Sequence, residues 1–241
     1  MFEYETSHHA VVVRLDRDVC LVVDRSSSMK LYVTDTAGTM GSGDARFCQA
    51  PHGVFDETQP TSRWAALDDA VDVFTATLAT TPPVEHVGLV SYGSSGTWCN
   101  VSNNATDVDH ALTGDLTQIS GAMDVISGKV FNGGTRIGEG IDRGVTVLTD
   151  VATARPFADK TLVVMTDGHQ TAGRSPVDAA TAAAALKITV HTITFGNGAN
   201  QNQMEQVAAA GGGEHFHAAD EAELQNVFRE IALSLPVLLT E

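Results

Sequence analysis

The sequence has few cysteines, few basic residues and no long apolar run. It contains 3 cysteines among 241 residues, none of them in a Cys-x-x-Cys pair, so a structural zinc site is not expected. Lysine and arginine together number 14 against 30 aspartates and glutamates, which gives a formal net charge of −16. A surface this acidic repels nucleic acids and anionic lipids, so neither is expected as a partner. Because no stretch of about 18 apolar residues occurs, we expect no membrane insertion by this segment.

Two further absences concern catalysis and export. The chain has no Gly-x-Ser-x-Gly motif and no Walker A loop, so hydrolase and nucleotide-binding functions have no support. The string Ser27-Ser28-Met29-Lys30 matches the Ser-x-x-Lys pattern of penicillin-binding enzymes, but their companion Lys-Thr-Gly and Ser-Asp-Asn motifs are missing. We therefore expect no catalysed reaction. The first residues, MFEYETSHHAVVVRL, lack the form of a signal peptide, so we expect export to depend on a signal outside this segment.

The three cysteines fall into two environments. Cys20 lies in an apolar run, which predicts a buried free thiol. Cys48 and Cys99 lie in polar segments that contain glycine and serine. A disulfide between these two is one alternative and a pair of free thiols is the other. A disulfide would imply an oxidising compartment.

Apolar runs alternate with stretches of helical periodicity along most of the chain. Strands are predicted at residues 19–24, 87–92, 160–166, 188–195 and 214–218, with a short edge strand at 98–101. Helices are predicted at residues 62–80, 116–127, 138–148, 176–186, 201–210 and 221–233. This alternation predicts a doubly wound, Rossmann-like three-layer α/β sandwich, whose mostly parallel sheet has about six strands and one antiparallel edge strand. We expect one domain over residues 1–241, with its core at 16–235 and an irregular insertion at 30–61.

Oxygen-bearing side chains follow several of the predicted strands. Asp24 and Asp167 stand at the ends of two strands, and Ser26 and Ser28 follow Asp24 directly. Thr135 lies in the loop FNGGTR before a predicted helix. In open α/β sheets ligands bind at the carboxyl ends of strands, so these loops are expected to open at one end. Hydroxyls and carboxylates are hard donors, which predicts a site for Mg²⁺, or for Mn²⁺ or Ca²⁺, rather than zinc or copper.

These strings resemble those of a known family. DRSSS matches the Asp-x-Ser-x-Ser signature of von Willebrand factor A-type domains, also called integrin I domains, and GGT and MTDG match its remaining metal-site positions. The resemblance covers about residues 16–235 and implies an intact metal-ion-dependent adhesion site (MIDAS). It implies direct contact of the cation with Ser26, Ser28 and Thr135, while Asp24 and Asp167 act largely through water. It also implies that an Asp or Glu side chain of a protein partner completes the coordination.

Longer segments, such as GGTRIGEGIDRGVTVL and ARPFADKTLVVMTDG, look like the A domain of bacterial tight-adherence (Flp/Tad) pilus assembly proteins, TadG-like in type. That resemblance implies adhesion or assembly of a surface structure. It also implies a cell-envelope or extracellular location, with an anchoring segment outside this sequence. Two alternatives stay open: an A-type subunit of an intracellular ATP-driven metal-chelatase-like machine, and a metal-dependent enzyme.

Several residues near the predicted site are candidates for other roles. Arg25 and Arg136 flank metal-site positions and are predicted to contact a partner's acidic side chain. His169 follows Asp167-Gly168 and is a candidate partner-binding residue at the rim of the site, although simple placement in a loop is the favoured alternative. The insertion at 30–61 follows the first metal-binding loop, so it is expected to overhang the site. His215 and His217 share one face of a predicted strand, where partly buried histidines are favoured over a transition-metal site because no third ligand is evident.

Overall fold

The computed structural model describes residues 16–35, 40–51, 61–80 and 85–234. The strands are β1 (Arg17–Asp24), β2 (His86–Tyr92), β3 (Gly96–Trp98), β4 (Val101–Asn103), β5 (Thr106–Thr113), β6 (Asp159–Thr166), β7 (Ile188–Phe195) and β8 (Gly212–Ala218). The α-helices are α1 (Arg63–Ala79), α2 (Thr117–Ser127), α3 (Ile137–Leu148), α4 (Pro176–Ala185), α5 (Gln201–Ala210) and α6 (Glu221–Ser234). Short 3₁₀ turns cover Ser27–Lys30 and Ala45–Cys48.

A six-stranded sheet in the order β5-β2-β1-β6-β7-β8 forms the centre of the molecule. Strands β2, β1, β6, β7 and β8 run parallel to their neighbours, and β5 pairs with β2 in the antiparallel sense. Parallel neighbours joined through helices give a doubly wound fold, because each crossover returns over a face of the sheet. The predicted three-layer α/β architecture is therefore confirmed.

The antiparallel edge strand lies elsewhere than predicted. The sequence pattern places it at residues 98–101, but these form the turn of a separate hairpin, β3–β4, in which Cys99 and Asn100 have positive φ angles of 52° and 62°. The edge strand is β5, whose sequence TDVDHALT is mostly half-exposed. Acidic side chains at Asp107 and Asp109 break the apolar pattern that reveals a buried strand, so periodicity alone does not find it.

Two apolar cores cover the two faces of the sheet. Val19, Leu21 and Val23 of β1 pack on one side with residues of α1, α2 and α6. Cys20 and Val22, between them in sequence, pack on the other side with residues of α3, α4 and α5. Side chains alternate across a strand, so one buried strand supplies both cores. No helix within the described parts of the chain is long and apolar enough to cross a bilayer.

Candidate metal centre

Strands β1 and β6 bring the two aspartates together. The strands are parallel neighbours with Val23 opposite Met165, so Asp24 and Asp167 emerge at the same edge of the sheet. Both carboxylates are buried, with relative exposures of 0% and 1%. Two buried carboxylates at one place are unfavourable unless hydrogen bonds or a cation compensate them.

Hydrogen bonds occupy both oxygens of Asp24. Oδ1 accepts from the backbone N–H of Ser26 at 2.7 Å, and Oδ2 accepts from the hydroxyl of Thr166 at 2.8 Å. Burial, followed by the negative charge of Asp167, raises the pKa of Asp24 to about 7. The Asp24 carboxylate therefore holds the loop after β1 through Ser26, and its pKa depends on the charge of its neighbours.

The 3₁₀ turn after β1 places two serine hydroxyls side by side. Ser26 Oγ and Ser28 Oγ are 2.9 Å apart, and Ser28 donates a hydrogen bond to Asp167 Oδ1 at 2.8 Å. Ser27, between them, donates instead from its hydroxyl to the carbonyl of Gly133 at 3.2 Å. The turn thus directs alternate serines to different partners, with Ser26 and Ser28 facing the aspartates.

Thr135 reaches the same place from the loop before α3. The backbone N–H of Ser27 donates to the carbonyl of Gly133, which has a φ of 94° that favours glycine. This bond holds the loop before α3 against the loop after β1. Thr135 Oγ1 and Ser28 Oγ each lie 3.9 Å from the position that a Cβ would take on Gly168, so the two hydroxyls border the same glycine. A cavity of about 240 Å³ is lined by Ser26, Ser27, Ser28, Gly133, Gly134, Thr135, Gly168, His169, Thr171 and Gly198.

The donor set fits a hard divalent cation. Oxygens that share an edge of an Mg²⁺ octahedron are about 3.0 Å apart, since each metal–oxygen bond is about 2.1 Å. The 2.9 Å between Ser26 Oγ and Ser28 Oγ, here the length of a hydrogen bond, is compatible with that edge. Within the described residues there is no group of three or more His, Cys, Asp or Glu side chains that could hold a metal ion. The candidate donors gathered here are the hydroxyls of Ser26 and Ser28 and the carboxylates of Asp24 and Asp167.

Comparison with known proteins identifies the family. The model of the von Willebrand factor type A domain matches residues 55–230. The chain belongs to the von Willebrand factor type A (VWA) family. The match includes Thr135 and Asp167, whereas Asp24, Ser26 and Ser28 precede it. No curated protein sequence matches this VWA domain.

Solved structures share its fold at low sequence identity. The conserved hypothetical protein BatB from Bacteroides thetaiotaomicron has 18% identity and a TM-score of 0.63, over 90% of this chain and 97% of that one. Proximal thread matrix protein 1 from the mussel byssus, with a zinc-occupied MIDAS motif, has 18% identity and a TM-score of 0.61, over 92% and 50%. The pilus adhesin SpaC from Lactobacillus rhamnosus GG has 16% identity and a TM-score of 0.63, over 92% and 30%. This VWA domain thus spans about half of the mussel protein and under a third of the adhesin.

Arg63 is a site residue that the sequence did not reveal. Its Nη1 donates to Asp167 Oδ2 at 2.8 Å, and the two side chains are 5% and 0% exposed. Burial raises the pKa of Asp167, and the Arg63 guanidinium opposes that effect. Arg63 follows the N-cap Ser62 at the start of α1, 104 residues from its partner. Local sequence carries no signal for that contact.

The three residues predicted to contact a partner have different positions in this VWA domain. Arg25 is buried, and its guanidinium donates to Ser91 Oγ and to Asp107 Oδ2. Its position therefore gives no support to a role in partner binding. Arg136 is half-buried and pairs with Glu139 at 3.0 Å. His169 is exposed at the border of the cavity, so these two remain candidates.

Part of the insertion lies beside the metal-site loops. Lys30 is buried, and its Nζ donates to the carbonyls of Arg46 and Phe47 at 3.2 and 2.8 Å. Asn132, three residues before Thr135, donates to the same Phe47 carbonyl at 2.8 Å. Of the predicted insertion, residues 36–39 and 52–60 lie outside the described residues.

The cysteines resolve the alternative that their sequence left open. Cys48 and Cys99 form a disulfide with a Cα–Cα distance of 5.6 Å. It joins the insertion to the turn of the β3–β4 hairpin, and the ring of Trp98 in that hairpin packs on Gly133. Cys20 is buried and free, as predicted, and burial raises its pKa.

The histidines of β8 bond within the domain. His215 Nδ1 lies 2.9 Å from Thr192 Oγ1, and His217 Nδ1 lies 3.0 Å from Thr194 Oγ1. Burial lowers the pKa of His215. These contacts to β7 favour the interpretation as partly buried structural histidines.

Proposed function

We propose that this VWA domain is a divalent-cation-dependent protein-binding module that captures an acidic side chain of its partner. The observation that carries the proposal is the hydrogen-bonded network that joins Ser26, Ser28 and Asp167, with Thr135 across the same cavity. Three loops that are distant in sequence converge there with hard oxygen donors. Such a donor set suits Mg²⁺, and also Mn²⁺ or Ca²⁺.

The residues divide into two roles. Ser26, Ser28 and Thr135 would hold the cation through neutral hydroxyls. Asp167 would orient the Ser28 hydroxyl, and Asp24 would hold the backbone of Ser26 in place. Each of their carboxylate oxygens already has a hydrogen-bond or ion-pair partner. A cation bound mainly by neutral oxygens keeps much of its charge and offers a favourable contact to a partner's Asp or Glu carboxylate.

In this proposal the domain binds its partner and catalyses no reaction. A metal-dependent hydrolase needs a general base beside its activated water. Both site aspartates are engaged by internal donors, so neither is placed for that role. Arg136 and His169, which border Thr135 and the cavity, are proposed as secondary contacts of the partner.

The proposed setting is the cell envelope or the extracellular space, in adhesion or in assembly of a surface structure such as a pilus. The Cys48–Cys99 disulfide supports it, because disulfides persist in oxidising compartments. The same bond disfavours an intracellular chelatase-like subunit. The fold shared with a pilus adhesin and the sequence resemblance to TadG-like proteins agree with this setting.

The test uses the cation and a minimal carboxylate. Calorimetric titration with Mg²⁺ alone is expected to show binding by the wild type. Titration of the Mn²⁺-loaded domain with acetyl-glutamate amide, followed by proton relaxation of the ligand, is expected to show contact with the ion. Acetyl-glutamine amide has the same size without the charge and is expected not to bind.

Two serine variants provide a matched comparison. S28A removes a proposed ligand and should weaken Mg²⁺ binding at least about tenfold. S27A removes the neighbouring hydroxyl, which bonds Gly133, and should change the affinity little. Equal affinities for S28A, S27A and the wild type would exclude this site as the place of cation binding. Carboxylate binding that persists in EDTA would contradict the cation-dependent mechanism.

A further inference from the structure

Arg63 places a permanent positive charge inside the proposed cation site. Its guanidinium contacts Asp167 at 2.8 Å, and a second nitrogen donates to the carbonyl of Asp35 at 3.2 Å. The side chain is only 5% exposed, so solvent screens this charge weakly. The positive charge of Arg63 repels a divalent cation at the same site, so the presence of this arginine calls for an explanation.

The formal charges of the buried side chains suggest an explanation for Arg63. Asp24 and Asp167 contribute two negative charges and Arg63 contributes one positive charge, so these three side chains together are anionic by one. Loading with a divalent cation makes the group cationic by one, and a partner carboxylate then neutralises it. Without Arg63 the loaded group would already be neutral, and the attraction for a carboxylate would fall.

Other cations nearby are matched by their own acidic neighbours. Arg25 pairs with Asp107 at 2.8 Å, and a favourable interaction with Asp44 partly supports the charge of Lys30. Arg63 donates directly to a carboxylate of the site itself, whereas the carboxylate that Arg25 contacts directly is Asp107.

We propose that Arg63 sets the charge of the loaded site, lowering its affinity for the divalent cation and raising the affinity of the loaded domain for a carboxylate ligand. This inference rests on the proposed function and assigns to it a positioning residue outside the MIDAS motif. Arg63 acts through Asp167: it holds that carboxylate in place and leaves the cation to the hydroxyls. A merely structural arginine would support both binding steps, whereas this one affects them in opposite directions.

The experiment compares wild type, R63Q, R63K and R229Q at a pH of about 8, above the raised pKa of Asp24. Mg²⁺ affinity is measured by calorimetry on the metal-free protein. Affinity of the Mn²⁺-loaded protein for acetyl-glutamate amide is measured by ligand proton relaxation. R229Q removes one positive charge from the exposed surface of α6, so it controls for net charge.

Opposite shifts are the expected result. R63Q should bind Mg²⁺ about tenfold more tightly, and once loaded it should bind the carboxylate probe about tenfold more weakly. R63K keeps the charge and should stay within about threefold of the wild type in both measurements, as should R229Q. Unfolding midpoints in EDTA and in saturating Mg²⁺ accompany each titration. R63Q should gain more stability from Mg²⁺ than the wild type, which is measurable even when its metal-free form is largely unfolded.

Weakening of both steps by R63Q, or no change in either, would overturn the inference while the proposed function stood. Failure of the wild type to bind Mg²⁺ would overturn the proposed function and this inference with it.

Discussion

At the scale of single residues, the proposed site combines neutral hydroxyls with buried charge. Ser26 and Ser28 supply hydroxyls 2.9 Å apart, while Asp24 has no exposed surface. Its carboxyl is stabilised by two hydrogen bonds, but burial and the neighbouring Asp167 outweigh them and raise its pKa. Protons and divalent cations should therefore compete for this group.

We predict that Mg²⁺ affinity falls as the pH is lowered through about 7, the pKa of Asp24 without metal. Cation binding requires the ionised carboxylate, so affinity should drop by up to about tenfold per pH unit below that value and level off above it. The sign for the metal-free fold is opposite. The native Asp24 retains a proton that the unfolded chain releases near its ordinary value of 3.8, so its contribution to stability is lost as the pH rises through about 7.

Calorimetry in two buffers of different ionisation enthalpy would detect the proton released on Mg²⁺ binding. D24N cannot titrate at this position and should release less. An affinity that is the same at about pH 5.5 and about pH 8 would contradict the assignment.

At the scale of secondary-structure elements, long-range links connect the insertion and the β3–β4 hairpin to the loops of the site. The Cys48–Cys99 bond spans 51 residues of sequence, and Lys30 and Asn132 both donate to the Phe47 carbonyl. The start and the end of the insertion meet in a bridge between Tyr32 and Ser62. The Tyr32–Ser62 bridge therefore joins the two ends of the insertion, and the disulfide attaches its central part to the β3–β4 hairpin.

Removing the disulfide should destabilise the domain. Closing a loop of this length stabilises a fold by about 2–4 kcal/mol, chiefly by restricting the unfolded chain. We expect C48S/C99S to lose free energy of unfolding in that range, measured by urea denaturation. A reducing agent should reproduce the loss in the wild type and have no further effect on the double variant. Identical stability of oxidised and reduced wild type would show that the bond does not restrain the chain.

Helix α3 approaches the sheet so closely that its glycines act as packing residues. A Cβ on Gly140 would lie 2.7 Å from Tyr92, and one on Gly144 would lie 2.7 Å from Leu162. The absence of side chains at these glycines lets α3 pack directly against the sheet. Helix α3 begins two residues after Thr135. Neither side chain can move freely, because both Tyr92 and Leu162 are completely buried.

G140A should therefore lower the free energy of unfolding by about 1–3 kcal/mol, despite the better helix propensity of alanine. G121A provides the matched control. Gly121 lies in α2, and a Cβ there would have no other atom within 4 Å, so alanine should stabilise by about 0.5–1 kcal/mol. Chemical denaturation of both variants measures these changes in the free energy of unfolding. Equal changes for G140A and G121A would mean that α3 packs less tightly against the sheet than described.

At the scale of the whole molecule, the net charge of −16 favours cations and is itself a source of repulsion in the folded state. A cation that binds only the native fold stabilises it by mass action. The stabilisation amounts to about 2.7 kcal/mol at a concentration a hundredfold above the dissociation constant.

We predict a rise in the thermal unfolding midpoint with Mg²⁺ concentration, reversed by EDTA. S28A should require at least about tenfold more Mg²⁺ for the same rise, because it lacks one proposed ligand. Sodium chloride at matched ionic strength controls for screening of the net charge. A midpoint that responds equally to Mg²⁺ and to matched sodium chloride would argue against a specific site.

Most of the candidate site could be proposed before the fold was known. Asp24, Ser26 and Ser28 lie within five residues of one another, and Asp167 follows a short apolar run that predicts a buried strand. Parallel strands align their carboxyl ends, so general rules of α/β folds suffice to bring these side chains together. Hydrogen bonds connect all four of them in the structure.

What the sequence determined by itself is local: the alternation of strands and helices, and hence the doubly wound α/β class, with a buried thiol at Cys20. What only the tertiary structure decided depends on partners distant along the chain. The tertiary structure pairs Arg63 with Asp167, directs the Arg25 side chain to Asp107, joins Cys48 to Cys99 and makes residues 106–113 the antiparallel edge strand. Periodicity reports which face of an element is buried, but two side chains many residues apart meet only when several elements pack at once, and no local pattern encodes that geometry.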